Sequence, residues 1–61
     1  MKFDEGIKVR LLVDKEYNNG DSVSQGTVGK VTAKYETPWS AVDFPGTALE
    51  HRVPDDDLEE A

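Results

Sequence analysis

From Gly6 to Val13 the chain alternates: Ile7, Val9, Leu11 and Val13 fall on one face, Lys8 and Arg10 on the other. Alternation with β-branched residues is the mark of a half-buried strand. A first strand is therefore expected here, opened by Gly6. The pattern stops at Asp14. Asp14 to Gln25 reads as a loop, because Asn18-Asn19-Gly20-Asp21-Ser22 is dense in turn formers. Tyr17 and Val23 are its large apolar residues and are expected to pin it onto the body of the domain. A second strand is expected from Thr27 to Tyr35, with Lys30, Thr32 and Lys34 alternating outward. Val28 and Val31 are three apart, so a flat strand would send them to opposite faces. Gly29 between them suggests a bulge that lets both valines face one core. Gly26 is expected to make the turn before the strand.

The second half continues in short pieces. Glu36-Thr37-Pro38 is a turn of hairpin length. Trp39 to Phe44 reads as a third strand, with Val42 and Phe44 on one face and Ala41 and Asp43 on the other. Pro45-Gly46 is a turn dipeptide, and Leu49, His51 and Val53 then alternate as a fourth strand sharing one face. Pro54 to Asp57 reads as one turn of 3₁₀ type. Leu58 is expected to fold back on the core as a short fifth strand, leaving Glu59, Glu60 and Ala61 frayed. No segment keeps a helical period for more than a turn. The fold class is all-β, and residues 1–61 form a single domain. A closed five-stranded barrel is the economical arrangement, since closure removes exposed edges.

At 61 residues the core is small, and a chain of this length buries only about 60% of its unfolded surface. The absence of cysteine excludes disulfides and zinc–thiolate sites. The polar start Met1-Lys2-Phe3-Asp4-Glu5-Gly6 is unlike a signal peptide, and no apolar run approaches the length of a membrane span. A soluble, cytoplasmic protein is expected. The net charge of −6 is uneven. Residues 1–34 hold six basic and five acidic groups, a balance of +1, whereas residues 35–61 hold one and eight, a balance of −7. This balance opposes attraction to nucleic acid or anionic membrane and favours a protein partner with a basic surface.

Gly6-Ile7-Lys8-Val9-Arg10, Gly26-Thr27-Val28, Ala41-Val42-Asp43-Phe44, Val53 and Leu58-Glu59 follow one another in an order that resembles the SH3-like barrels. The chain looks most like the small barrels that serve as the stromal accessory subunit of photosystem I and as the variable chain of ferredoxin–thioredoxin reductase. The resemblance implies an SH3-like five-stranded barrel without a cofactor that supports a larger partner. The late polar segment of those subunits is missing here, and the tail is more acidic.

Candidate chemistry is sparse. His51 is the only histidine; catalysis would need a nucleophile or a carboxylate held close to it, with Asp43 or Glu50 as the nearby acids, and its shared face with Leu49 and Val53 favours a partly buried structural role. Asp55-Asp56-Asp57 with Glu59 and Glu60 could hold a hard cation, but the spacing of a calcium loop is absent and a solvated acidic tail is expected. Gly26-Thr27-Val28-Gly29 fits neither phosphate-binding glycine motif. No catalytic, cofactor or metal residue is assigned. Trp39 and Phe44 are expected in the core, with Tyr17 and Tyr35 at its edge. A protein-binding surface, if the aromatics serve one as in peptide-binding SH3 domains, would use Tyr17, Trp39, Asp43 and Glu50.

The favoured function is a non-catalytic interaction or accessory module that binds a larger protein. The alternative is an acidic inhibitor or nucleic-acid mimic of phage or bacterial origin, favoured if Glu36, Asp43, Glu50, Asp55 and Asp57 cluster on one face. A further alternative is weak nucleic-acid binding through a Lys8, Arg10, Lys30 and Lys34 face, formed if the first two strands are neighbours.

Overall fold

The alternating run at Ile7 becomes strand β1 (Lys8–Leu11), with Val9 and Leu11 buried and Lys8 outward. The computed structural model describes residues 3–34, 38–47 and 49–61, with Lys34 described by its backbone alone. β1 ends at Leu11, so Val13 is not a core residue as the alternation suggested and is exposed. The loop that follows contains a small hairpin, β2 (Lys15–Glu16) against β3 (Ser22–Val23). Val23 is buried in the core and Tyr17 packs against it, as expected of residues that pin the loop.

Strand β4 (Val28–Lys34) pairs antiparallel with β1, placing Lys8 opposite Lys30, Val9 opposite Gly29 and Arg10 opposite Val28. It is entered through a turn closed by Thr27 N–H donating to Ser24 O, with Gly26 at φ 92°, a conformation that other residues resist. Gly29 is not a bulge, since it pairs in regular register with Val9. The irregularity lies further on, between Val31 and Ala33 against β5. Regular pairing keeps Val28 and Val31 on opposite faces: Val31 is buried and Val28 is exposed. Gly29 is instead a close approach. A Cβ there would lie 2.7 Å from Phe44 Cδ1, 2.7 Å from Val42 Cγ1 and 2.8 Å from Asp43 O. The expected Tyr35 end of this strand and the Glu36-Thr37 turn lie outside the described residues.

Strand β5 (Trp39–Asp43) buries Ser40 and Val42, and Phe44 follows them into the core. Ala41, expected on the open face, is also buried. β5 is flanked by β4 and β6, with Ala33 and Arg52 in register with Ala41, and so short a side chain leaves little surface between neighbours. β6 (His51–Pro54) runs into a 3₁₀ turn, η1 (Asp55–Asp57), and then into β7 (Leu58–Glu60). Leu49, expected in line with Val53, precedes β6 and is 62% exposed. β7 pairs with β1, and Ala61 N–H donates to Lys8 O at 3.0 Å, so the expected fraying of Glu59 to Ala61 is overturned.

The protein is all-β, with a five-stranded antiparallel sheet in the order β6-β5-β4-β1-β7 and the separate β2–β3 hairpin. Laid flat, the two outer strands would be about 19 Å apart, four spacings of about 4.8 Å. Yet the three residues of η1 link Pro54 to Leu58, and a 3₁₀ rise of about 2 Å per residue spans only about 8 Å. The sheet must curl to bring β6 and β7 together. The core agrees, because Val53 of β6 and Leu58 of β7 belong to one cluster with Phe3, Val9, Leu11, Val23, Val31, Val42 and Phe44.

A buried polar pair fastens that crossover. Ser40 Oγ donates to Asp55 Oδ1 at 2.6 Å, and Asp55 N–H donates to Pro38 O at 2.7 Å. Asp55, read from sequence as part of a solvated tail, is therefore almost fully buried. Replacing it leaves the Ser40 hydroxyl buried without this acceptor, a loss of about 1–3 kcal/mol. Asp55→Ala should lower the urea midpoint accordingly with an unchanged denaturant slope; a midpoint equal to wild type would show the pair to be immaterial.

Candidate functional site

Two places collect polar or aromatic groups that the core does not require. The first joins the hairpin loop to the sheet. His51, opposite Val42 at the start of β6, lies on the inward side of that strand. Its Nε2 is 2.7 Å from Asp21 Oδ2, and its ring stacks on Tyr17 with centroids 3.7 Å apart and planes 6° from parallel. Asp21 is itself held, since Asn19 Nδ2 donates to its carboxylate at 3.0 Å and Asp21 N–H donates to Asn19 Oδ1 at 3.1 Å. The acid beside His51 is therefore Asp21, not Asp43 or Glu50. Among the described residues His51 is hydrogen-bonded to Asp21 and to no hydroxyl. What the pair does is clamp the loop to β6. Burial pushes the Tyr17 phenol above its ordinary pKa, with Lys15 opposing and Asp57 adding to the shift. Its hydroxyl is buried without a partner among the described residues.

The second place is the outer face of the sheet. Trp39, expected in the core, is 42% exposed, because the alternation of β5 turns Ser40, Val42 and Phe44 inward instead. It sits in register with Pro54 and follows the exposed Pro38. Asp43 lies on the same face four residues along, about 13 Å away at the rise of a strand. Glu50 accepts a hydrogen bond from Thr32 Oγ1. The four residues singled out from sequence thus occupy separate positions: Tyr17 in the clamp, Trp39 and Asp43 at opposite ends of β5, and Glu50 beside β4.

β1 and β4 are neighbours, as a joint basic face requires. Of its four members, Arg10 is in an ion pair with Glu59 at 2.7 Å, and the Lys34 side chain lies outside the described residues. Lys8 and Lys30 remain, directly opposite each other. They flank an open groove of about 360 Å³, whose other walls are Val28, Gly29, Asp43 and Pro45. Sequence reasoning missed this groove, because it depends on the β1–β4 register and on where the Pro45 turn lands.

Three of the acidic residues are engaged within the fold. Asp55 is buried against Ser40, Asp57 pairs with Lys15 at 2.7 Å and Glu59 with Arg10. Among the described residues no group of three or more histidine or carboxylate side chains could hold a metal ion. No helix there is long and apolar enough to cross a membrane. No family model, no curated protein and no solved structure matches the chain.

Proposed function

We propose that this chain is a non-catalytic interaction module of the SH3-like kind that docks a larger protein through the outer face of its sheet, with Trp39 as the anchor. The observation that carries this reading is the exposure of the one tryptophan. A domain this small needs its aromatics inside, and tryptophan left outside is the residue type most enriched at the energetic centres of interfaces. Its placement is also braced: Pro54 is in register beside it, and the buried Ser40–Asp55 pair fixes the next residue of the strand. The strand order, with β7 returning to β1 and a long hairpin loop between β1 and β4, supports the likeness to SH3-like barrels. The −7 balance of residues 35–61 favours a partner whose surface is basic overall and speeds its approach at low salt. The mimic reading is not retained, because Asp55 and Asp57 are engaged within the fold.

The test compares wild type with Trp39→Ala. The variant should keep its stability to within about 0.5 kcal/mol, as surface substitutions do. It should lose a partner captured by wild type from cells of the source organism, with affinity down by about thirtyfold, the scale of a hot-spot residue. Equal capture and equal affinity for both proteins would remove Trp39 from the interface and the proposal with it.

A further inference from the structure

The Lys8–Lys30 groove has features that folding alone does not account for. Like charges placed directly opposite on paired strands destabilise a sheet, and this chain, with thirteen acidic residues against seven basic ones, has acid to spare for neutralising them. It does so elsewhere, giving Glu59 to Arg10 and Asp57 to Lys15. Among the described residues, neither Lys8 nor Lys30 is given an ion-pair partner. Asp43 is in register with Lys30, yet no ion pair joins them. Beside the lysines the groove is apolar, walled by the exposed Val28 and by Pro45, with the Gly29 backbone between them.

We propose that this groove recognises a single carboxylate side chain of a peptide segment on the partner protein. The two ammonium groups take the carboxylate, and an adjoining apolar side chain covers Val28 and Pro45. This deepens the reading of the chain as an interaction module and rests on it. Cβ atoms directly opposite on antiparallel strands are about 5 Å apart, so one carboxylate can accept from both lysines, and such charge-assisted bonds are the stronger class. The net charge of −6 then sets the kind of segment. A run of acids, or the phosphate backbone of a nucleic acid, would meet the carboxylates of the rest of the domain. One acid among neutral or basic residues gains the two lysines without that repulsion. Asp43, in register with Lys30 on the strand across from Lys8, sharpens this limit, since its charge leaves room for one acid and repels a second.

The experiment follows backbone amide shifts in the whole protein during titration with three capped pentapeptides. One is Gly-Leu-Glu-Leu-Gly, the second has Gln in place of Glu, and the third is pentaglutamate. A short oligouridylate serves as the nucleic-acid arm. The Glu peptide should saturate shifts confined to residues 8, 28–30, 43 and 44 with a Kd on the order of 1 mM. The Gln peptide and pentaglutamate should each bind about tenfold more weakly or worse. Lys8→Gln with Lys30→Gln should abolish the saturating shifts while holding or raising the melting temperature, because the like-charge pair is gone. Equal binding of the Glu and Gln peptides, shifts elsewhere, tighter binding of pentaglutamate or oligouridylate, or a double variant that titrates like wild type would each overturn the proposal. Trp39→Ala should titrate as wild type, since Trp39 lies at the other end of β5. Failure of the groove therefore leaves the Trp39 anchor standing, and loss of the anchor leaves the groove titration intact.

Discussion

Replacing Gly29 with valine is expected to cost about 3 kcal/mol or more, at or beyond the upper end of overpacking effects. For 61 residues the whole stability is only about 3–9 kcal/mol, so the variant should be largely unfolded or melt far below wild type. The reason is space. Even the first added carbon meets two core side chains and a carbonyl oxygen at less than 3 Å. Val42 and Phe44 are fully buried and cannot swing into solvent to make room, and Asp43 O belongs to the neighbouring strand. Gly29→Ala should already cost about 2 kcal/mol.

A rescue experiment separates this cause from backbone strain. Gly29 is not among the glycines with positive φ, so its backbone lies where other residues can follow. Val42→Ala removes one of the two clashing side-chain groups, the Val42 methyl. In the double variant Gly29→Ala with Val42→Ala the two costs should sum to less than their separate values, a coupling of the size found for contacting residues. Strict additivity in thermal or urea unfolding, or a Gly29→Val protein as stable as wild type, would sink the close-approach account.

Gly29 also shows where reading the chain succeeded and stopped. A glycine inside an alternating strand was visible; that it answers to Phe44 and Val42, thirteen and more residues away, was not. The strand at Lys8–Leu11 was legible because period-two alternation is a local property. The β2–β3 hairpin was not, since two-residue strands have no period to read. Phe3 is buried in the core, yet a lone apolar residue in a polar run carries no pattern. Hydrophobicity alone argues for Trp39 inside, but the alternation that buries Ser40 and Val42 decides against it. Of the site, the adjacency of the β1 and β4 lysines followed once those strands were neighbours. The His51–Asp21 contact joins residues thirty positions apart, and no local spacing announces it.

Leu58 is the one apolar residue between Pro54 and Glu60, and it should be as costly to lose as a residue at the centre of the chain. It is buried to 1% exposure, pairs with Leu11 across β7 and β1, and belongs to the single core cluster. Leu58→Ala is expected to cost about 2–5 kcal/mol, the range for burying a cavity in place of a leucine. Ending the chain at Pro54 should do more. It removes η1 and β7 together, strips β1 of a strand partner, and takes away the Asp55, Asp57 and Glu59 contacts to Ser40, Lys15 and Arg10. That truncated chain should show no cooperative melting transition. Glu59→Ala provides the contrast. Its pair with Arg10 is exposed on both sides, 42% and 49% of each side chain, and such surface pairs contribute about 1 kcal/mol or less. If the tail acted only through its charge, Glu59→Ala would hurt as much as Leu58→Ala. A protein ending at Pro54 that melts at the temperature of the full chain would refute the closing role of β7, and with it the account of how the sheet is held in its curl.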